Sequence, residues 1–309
     1  MTDRVLHVAT PTIASLPLST AAGRAIDLKL ENLQPSGSFK MRGIGAACVE
    51  YARRGARRLL SSSGGNAGIA VACVGRMLGI PVVVVVPETT TARARRLIEE
   101  QGATLIVHGA SWQEANERAQ SMAGTTDAFV HPFDDPLVWA GHATMIDEAA
   151  RTGVKPDAVV VAVGGGGLLC GVIEGLHRNG WSDVPLVAVE TEGAASLRAS
   201  MDAGRCVTLD AITSIATSLG AKRVCERAFG WTREHPVASV LVTDAAAVDA
   251  CLRFIDDHRI VVEPACGAAL ATVYGRVADL ERFERVLVIV CGGATATVDQ
   301  LQAWATSTR

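Results

Sequence analysis

Residues 158–172 read AVVVAVGGGGLLCGV. An unbroken apolar run rich in valine has the length and β-branched character of a strand covered on both faces. Four glycines end it, and an apolar segment over 168–179 has helical spacing. A junction of strand, glycine turn and helix belongs to alternating α/β proteins, whose parallel strands gather ligands at their carboxyl ends. Four successive glycines cost conformational entropy that a plain turn need not carry. Amides converging on a phosphate would account for that cost; a flexible turn is the alternative.

The same alternation extends outward. Strands are expected at 58–62, 81–86, 103–108 and 127–131, with helices at 66–78, 90–102 and 111–122 between them. A second series follows: helix 136–152, strand 158–163, helix 168–179 and strand 185–190. The last part holds strand 239–242, helices 244–257 and 265–278, and strand 285–291. The prolines within 131–136 mark a join between two α/β units near residue 135, and 191–236 is irregular in pattern. No repeat or low-complexity tract interrupts the series.

Composition narrows the function. The chain has 309 residues, 49% hydrophobic and 20% charged, with a net charge of −3. Those values describe an ordinary globular protein. No apolar run approaches the ~18 residues of a membrane span. No basic segment leads into an apolar one at the amino terminus, so a cytoplasmic location is the default expectation. A pI of 6.2 without a basic block speaks against nucleic acid. Eight scattered cysteines form no C-x-x-C pair, and seven histidines show no metal-binding spacing, so neither a disulfide framework nor a zinc centre is expected. Glycine is abundant at 30 residues, whereas lysine occurs only at Lys29, Lys40, Lys155 and Lys222. A reactive amine therefore has four addresses.

Four loops carry candidate chemistry. In PSGSFKMRG (35–43), Lys40 follows Phe39 in a polar turn, where desolvation would favour the neutral amine that Schiff-base chemistry needs. A helix start capped by Ser36 or Ser38, with Lys40 solvated, is the alternative. In SSSGGNAG (61–68), amides, hydroxyls and the Asn66 carboxamide suit a carboxylate, or form a plain capped turn. The glycines Gly164, Gly165, Gly166 and Gly167 suit a phosphate. Cys291, at the end of the last strand beside Gly292 and Gly293, is either a ligand contact or a buried structural thiol. A nicotinamide site is the rival reading, with Glu190 as the ribose-binding acid. Its glycine fingerprint fails, however, because Leu169 or Cys170 stands where the last glycine belongs.

Together these loops resemble the fold type II family of pyridoxal-phosphate enzymes, and within it the serine/threonine dehydratases. The resemblance rests on ENLQPSGSFKMRGIG (31–45), SSGGNAG (62–68), HPFDDPLVWAGHAT (131–144), AVGGGGLLCGV (162–172), ETEGAAS (190–196), VEPACGAAL (262–270) and VIVCGG (288–293), in the family's order. It implies two open twisted, mostly parallel sheets with helices on both faces. A small domain (41–133) would be inserted in a large cofactor domain (1–40 and 134–309). It makes Lys40 the Schiff-base lysine, with Phe39 on the cofactor ring and Ser218 on the ring's second face. Gly164 to Gly167 and Leu168 would bind the phosphate, and Cys291 would face the pyridine nitrogen. Ser63, Gly64, Asn66 and Ala67 would lie at the substrate carboxylate, with Asn66 also near the cofactor's 3′-oxygen. The Gly164 carbonyl with Glu190, Ala194, Ser196, Leu219 and Ala221 matches positions around a monovalent cation such as K+.

Two positions depart from the family's common pattern. Gly64 lacks a methyl that many relatives carry, and Ser218 replaces a small apolar residue. The implied reaction is elimination of ammonia from L-serine, and from L-threonine, by a homodimer. No regulatory domain follows Arg309, which suggests a catabolic role. A nicotinamide dehydrogenase and a low-turnover cofactor-binding relative are the alternatives.

Overall fold

The computed structural model describes residues 4–308. Its elements begin with β1 (Thr12–Ala14), α1 (Leu16–Ala22), β2 (Ala25–Leu30) and α2 (Lys40–Arg53). There follow β3 (Arg58–Ser61), α3 (Asn66–Leu78), β4 (Val82–Val86), α4 (Ala92–Glu99), β5 (Thr104–Val107), α5 (Trp112–Ser121) and β6 (Asp127–Phe129). Next come α6 (Pro136–Ala150), β7 (Ala158–Ala162), α7 (Gly167–Arg178), β8 (Leu186–Thr191), α8 (Ser196–Ala203) and α9 (Glu226–Glu234). The chain closes with β9 (Val237–Val242), α10 (Asp244–His258), α11 (Pro264–Tyr274), β10 (Arg285–Val290) and α12 (Val298–Ser307).

Two compact units result. One takes the chain up to Val8 together with Gln34–His142; the other takes Ala9–Leu33 and everything from Ala143 onward. The division falls inside α6.

The first unit is built on four parallel strands in the order β5-β4-β3-β6. All five valines of β4 are buried, as a strand covered on both faces requires. Leu60 pairs in register with Val83 on one side and Phe129 on the other. Leu60, Val83 and Val85 pack with Ala115 and Ala119 of α5. Burying each such valine contributes about 1.5–3 kcal/mol. Because β3 lies between β4 and β6, the loops after these three strands leave the sheet side by side. That edge carries residues 62–65, 87–90 and 130–134.

The second unit is built on six strands in the order β1-β2-β10-β7-β8-β9. Only β1 runs antiparallel to its neighbour. Val288 of β10 stands between Leu28 and Val160. The carboxyl ends of β7 and β10 are therefore adjacent, and the glycine loop leaves one while Cys291 leaves the other.

Local signals set many helix ends. Gly79, in the left-handed region at φ 68°, ends α3, and Ser111 with Glu114 forms a capping box at the start of α5. The segment 191–236, read as irregular, contains α8 and α9 as well as loops. Both helices are under ten residues, too short for a clear periodic signal. Among the described residues all eight cysteines are buried and free, and no set of three His, Cys, Asp or Glu side chains could hold a metal. No described helix is long and apolar enough to cross a membrane.

Candidate active site

Lys40 is the first residue of α2. Its Nζ donates to the Pro132 carbonyl at 2.6 Å, and it lies 4.9 Å from the centre of the Phe39 ring. The solvated-lysine alternative is therefore set aside: the amine is engaged by the loop after β6. Neither Ser36 nor Ser38 caps the helix. Phe39 holds the cap position without a side-chain bond, and the buried Ser38 hydroxyl has no protein partner. The loop supplying Pro132 is itself organised by His131, whose Nδ1 accepts from the amides of Phe133 (3.3 Å) and Asp134 (2.8 Å). Burial, reinforced by the Lys40 charge and opposed by Asp134, lowers the His131 pKa and keeps the ring an acceptor.

The loop after β3 is built from side chains as much as backbone. Ser62 Oγ donates to Asn116 Oδ1 at 2.8 Å, and Ser63 Oγ accepts from the Gly65 amide at 3.3 Å. Asn66 and Ala67 open α3 and are buried. Gly68 is glycine because a Cβ there would fall 1.8 Å from the Ser63 carbonyl oxygen. Gly64 faces Thr90, whose Oγ1 would be 2.5 Å from an added methyl. The sequence reading did not single out Thr90. Its place at the end of the neighbouring strand's loop, in a run of three threonines, was the available signal.

In the second unit, Gly166 caps α7 with φ 92° and offers no side chain to the first-turn amides. Those amides, including Gly167 and Leu168, form an anion-binding end. Packing is a second reason for glycine here. A Cβ on Gly164 would be 3.0 Å from the Ser218 carbonyl oxygen, and one on Gly166 would be 2.4 Å from Ala228 Cβ. The Cys225 amide donates to the Gly165 carbonyl at 3.0 Å. The irregular stretch thus lies directly on the glycine loop. Ser218 is exposed there, in a short 3-10 turn with Leu219.

Cys291 is buried at the end of β10. A hydrogen bond with Cys266, burial and the nearby Glu263 carboxylate all push its thiol pKa up, so it is a neutral thiol. Glu263 is buried as well. It accepts from Thr295 Oγ1 at 3.1 Å, and its own Cγ would stand 2.3 Å from a Cβ on Gly293. The stretch 262–270 has no role evident in the sequence; Glu263 brings it against the Cys291 turn.

Glu190 is fully buried at the end of β8. Its two carboxylate oxygens accept from the amides of Leu197 and Arg198, each at 2.8 Å. Burial raises its pKa to about 7, partly offset by those two bonds. A carboxylate committed to the start of α8 is poorly placed for a ribose, so the nicotinamide reading loses its acid. Ala194 and the Ser196 side chain are buried beside this helix start, and Ser196 Oγ has no protein partner. Leu219 and Ala221 are linked by a backbone bond of 2.8 Å.

Comparison with known proteins identifies relatives of the whole chain. A family model described as pyridoxal-phosphate dependent enzyme matches residues 5–292. A human protein named L-serine dehydratase/L-threonine deaminase is 46% identical over 98% of this chain and 96% of its own. A mouse protein named serine dehydratase-like is 50% identical over 96% of this chain and 93% of its own. Among solved structures, a fungal L-serine ammonia-lyase from Rhizomucor miehei superposes with a TM-score of 0.94 at 36% identity, covering 99% of this chain and all of that one.

Proposed function

The chain belongs to the pyridoxal-phosphate-dependent enzyme family, and from that premise we propose that it is an L-serine ammonia-lyase forming pyruvate and ammonia. L-Threonine, giving 2-oxobutanoate, is its second substrate. The observation that carries the reading is the 46% identity to the human L-serine dehydratase/L-threonine deaminase, sustained over 98% of the chain.

The residues present fit the cofactor. The first turn of α7 has no side-chain cap, and a Cβ at Gly164 or Gly166 would collide with its surroundings. When bound, pyridoxal phosphate supplies a carbonyl for the substrate amine and an electron sink for the α-carbon. Lys40 Nζ would hold it and, as a neutral amine, would take the α-proton of the substrate. The Pro132 carbonyl orients that amine. Gly164, Gly165, Gly166, Gly167 and Leu168 would hold the phosphate through backbone amides. Phe39 and Ser218 would cover the ring, Asn66 would bond its oxygen, and Cys291 would meet the ring nitrogen. As a neutral thiol, Cys291 would offer that nitrogen a hydrogen-bonding group without a counter-charge. Ser63, Gly64, Asn66 and Ala67 hold the substrate carboxylate.

The Gly164 carbonyl, Glu190, Ala194, Ser196, Leu219 and Ala221 would surround a monovalent cation, K+ being the expected one. The buried, unpartnered Ser196 hydroxyl supports that assignment. The enzyme acts as a cytoplasmic homodimer in amino-acid catabolism.

An absorption spectrum and a pyruvate assay test this. The purified protein is expected to show a cofactor band near the visible edge, and L-serine to yield pyruvate. Lys40→Ala should abolish the band and lower turnover by about 10²–10⁴-fold. A colourless protein, or a coloured one that releases no oxo acid from either amino acid, overturns the reading. Light scattering on the eluted protein tests the dimer.

A further inference from the structure

Two of the recurring stretches, 31–45 and 131–144, meet where His142 touches the first turn of the Lys40 helix. That helix starts without a local side-chain cap. The amides of Met41 and Arg42 return to the carbonyls of Ser38 and Phe39 at 3.2 and 3.0 Å. The next amide, Gly43, donates to His142 Nδ1 at 3.2 Å, so the cap comes from 99 residues along the chain. Two glycines make the reach possible. A Cβ on Gly43 would lie 2.4 Å from the Val138 carbonyl oxygen, and one on Gly141 would lie 2.6 Å from the Arg42 carbonyl oxygen. The Phe39 ring, its centre 4.8 Å from that of His142, packs against the imidazole.

Proton placement follows from the donor. A backbone amide can only donate, so Nδ1 is bare and the neutral ring carries its proton on Nε2. Nε2 is buried without a protein partner, an arrangement that costs stability. Leucine or phenylalanine would fill the volume without that cost, so packing alone does not account for an imidazole. What the imidazole adds is the Nδ1 acceptor. Burial, with the Lys40 and Arg42 charges nearby, holds its pKa well below 6.5 and preserves that acceptor at neutral pH.

We propose that His142 is a positioning residue: it caps the Lys40 helix through the Gly43 amide and so fixes how Lys40 presents its amine. The second half of that statement rests on Lys40 being the cofactor lysine; the cap does not. Asparagine offers Oδ1 at the same bond separation from Cβ as Nδ1, whereas leucine offers no acceptor.

In the holoenzyme, His142→Leu should speed hydrogen exchange at the amides of residues 41–43 about fivefold, the loss expected of a removed cap. Its kcat should fall by about tenfold or more, with KM for serine changing less than about twofold, and His142→Asn should recover both readouts. Unchanged exchange in the leucine variant overturns the cap, as does an asparagine variant no better than leucine. Altered exchange with undiminished kcat overturns the positioning role. If neither variant folds, the imidazole nitrogen shifts of the wild-type protein decide. The Nε2–H form between about pH 6 and 8 is expected, and the Nδ1–H form or a charged ring overturns the proposal. A wild-type protein without a cofactor band would instead sink the Lys40 reading and leave the cap to be judged by exchange and tautomer.

Discussion

The chain builds the same junction twice, a buried parallel strand leading through a tight turn into a helix, and gives the two turns opposite chemistry. Between β3 and α3 the turn is Ser62-Ser63-Gly64-Gly65, with hydroxyls tied to Asn116 and to the Gly65 amide. Between β7 and α7 it is backbone alone, and Gly166 is left-handed at φ 92° where Gly65 is extended at φ −118°. Neutral side-chain donors would suit a carboxylate that enters and leaves at each turnover. Bare amides at a helix start suit a phosphate that stays. The neighbours differ too: Gly64 faces the far end of a threonine side chain, and Gly166 faces a packed alanine Cβ. One turn can give way and the other cannot.

Substitution at the rigid turn should have the largest effect. Gly166→Ala combines a left-handed backbone with a 2.4 Å approach to Ala228. It is expected to cost about 2–5 kcal/mol in denaturant unfolding and to weaken cofactor binding. Wild-type stability in this variant would break the contrast between the junctions.

Acid should also act on the serine-turn unit, through two histidines near Lys40. His142 and His131 both have folded pKa values held below 6.5, chiefly by burial. A base whose folded pKa is depressed contributes stability that is present above 6.5 and lost as pH falls. For His142 the slope approaches about 1.4 kcal/mol per pH unit until its folded pKa is reached. Denaturant titrations from neutral pH downward should show that loss, and His142→Asn should flatten it. An equal slope in the variant would remove His142 as its source.

Removing a hydroxyl from the serine turn should cost less. Ser62→Ala leaves Asn116 Oδ1 without its donor and is expected to lower stability by about 1 kcal/mol. Smallest in stability, and most informative about the flexible turn, is Gly64→Ala. Both branches of Thr90, Oγ1 at 2.5 Å and Cγ2 at 2.7 Å, must move with their loop; unfolding should shift by less than about 1 kcal/mol while KM for serine changes. Adding Thr90→Ala should return KM towards wild type. A double variant that behaves like Gly64→Ala alone would show that the methyl acts elsewhere than at Thr90.

Much of the fold was legible because it is local. Helix 66–78 was read with its observed limits, since apolar spacing and a terminal glycine both lie within one window. The all-valine strand β4 and the run 158–162 announced themselves by length and branching. Helices α8 and α9 did not: α8 is organised from outside its span by Glu190, which bonds the amides of Leu197 and Arg198. Ser36 and Ser38 looked like caps by proximity, yet the acceptor on the Lys40 helix is His142, 99 residues on.

The scarcity of lysine and the order of seven motifs, both properties of the chain alone, were enough to nominate Lys40, the glycine loop and a cofactor. Backbone sterics and hydrophobic period act over a few residues, and a sequence displays them directly. Which carbonyl holds the Lys40 amine, which side chain limits Gly64 and which acceptor meets the Gly43 amide were settled only when distant segments came together. Hydrogen bonds, close approach and desolvation act over a few ångströms, and no spacing along the chain records which atoms will share them.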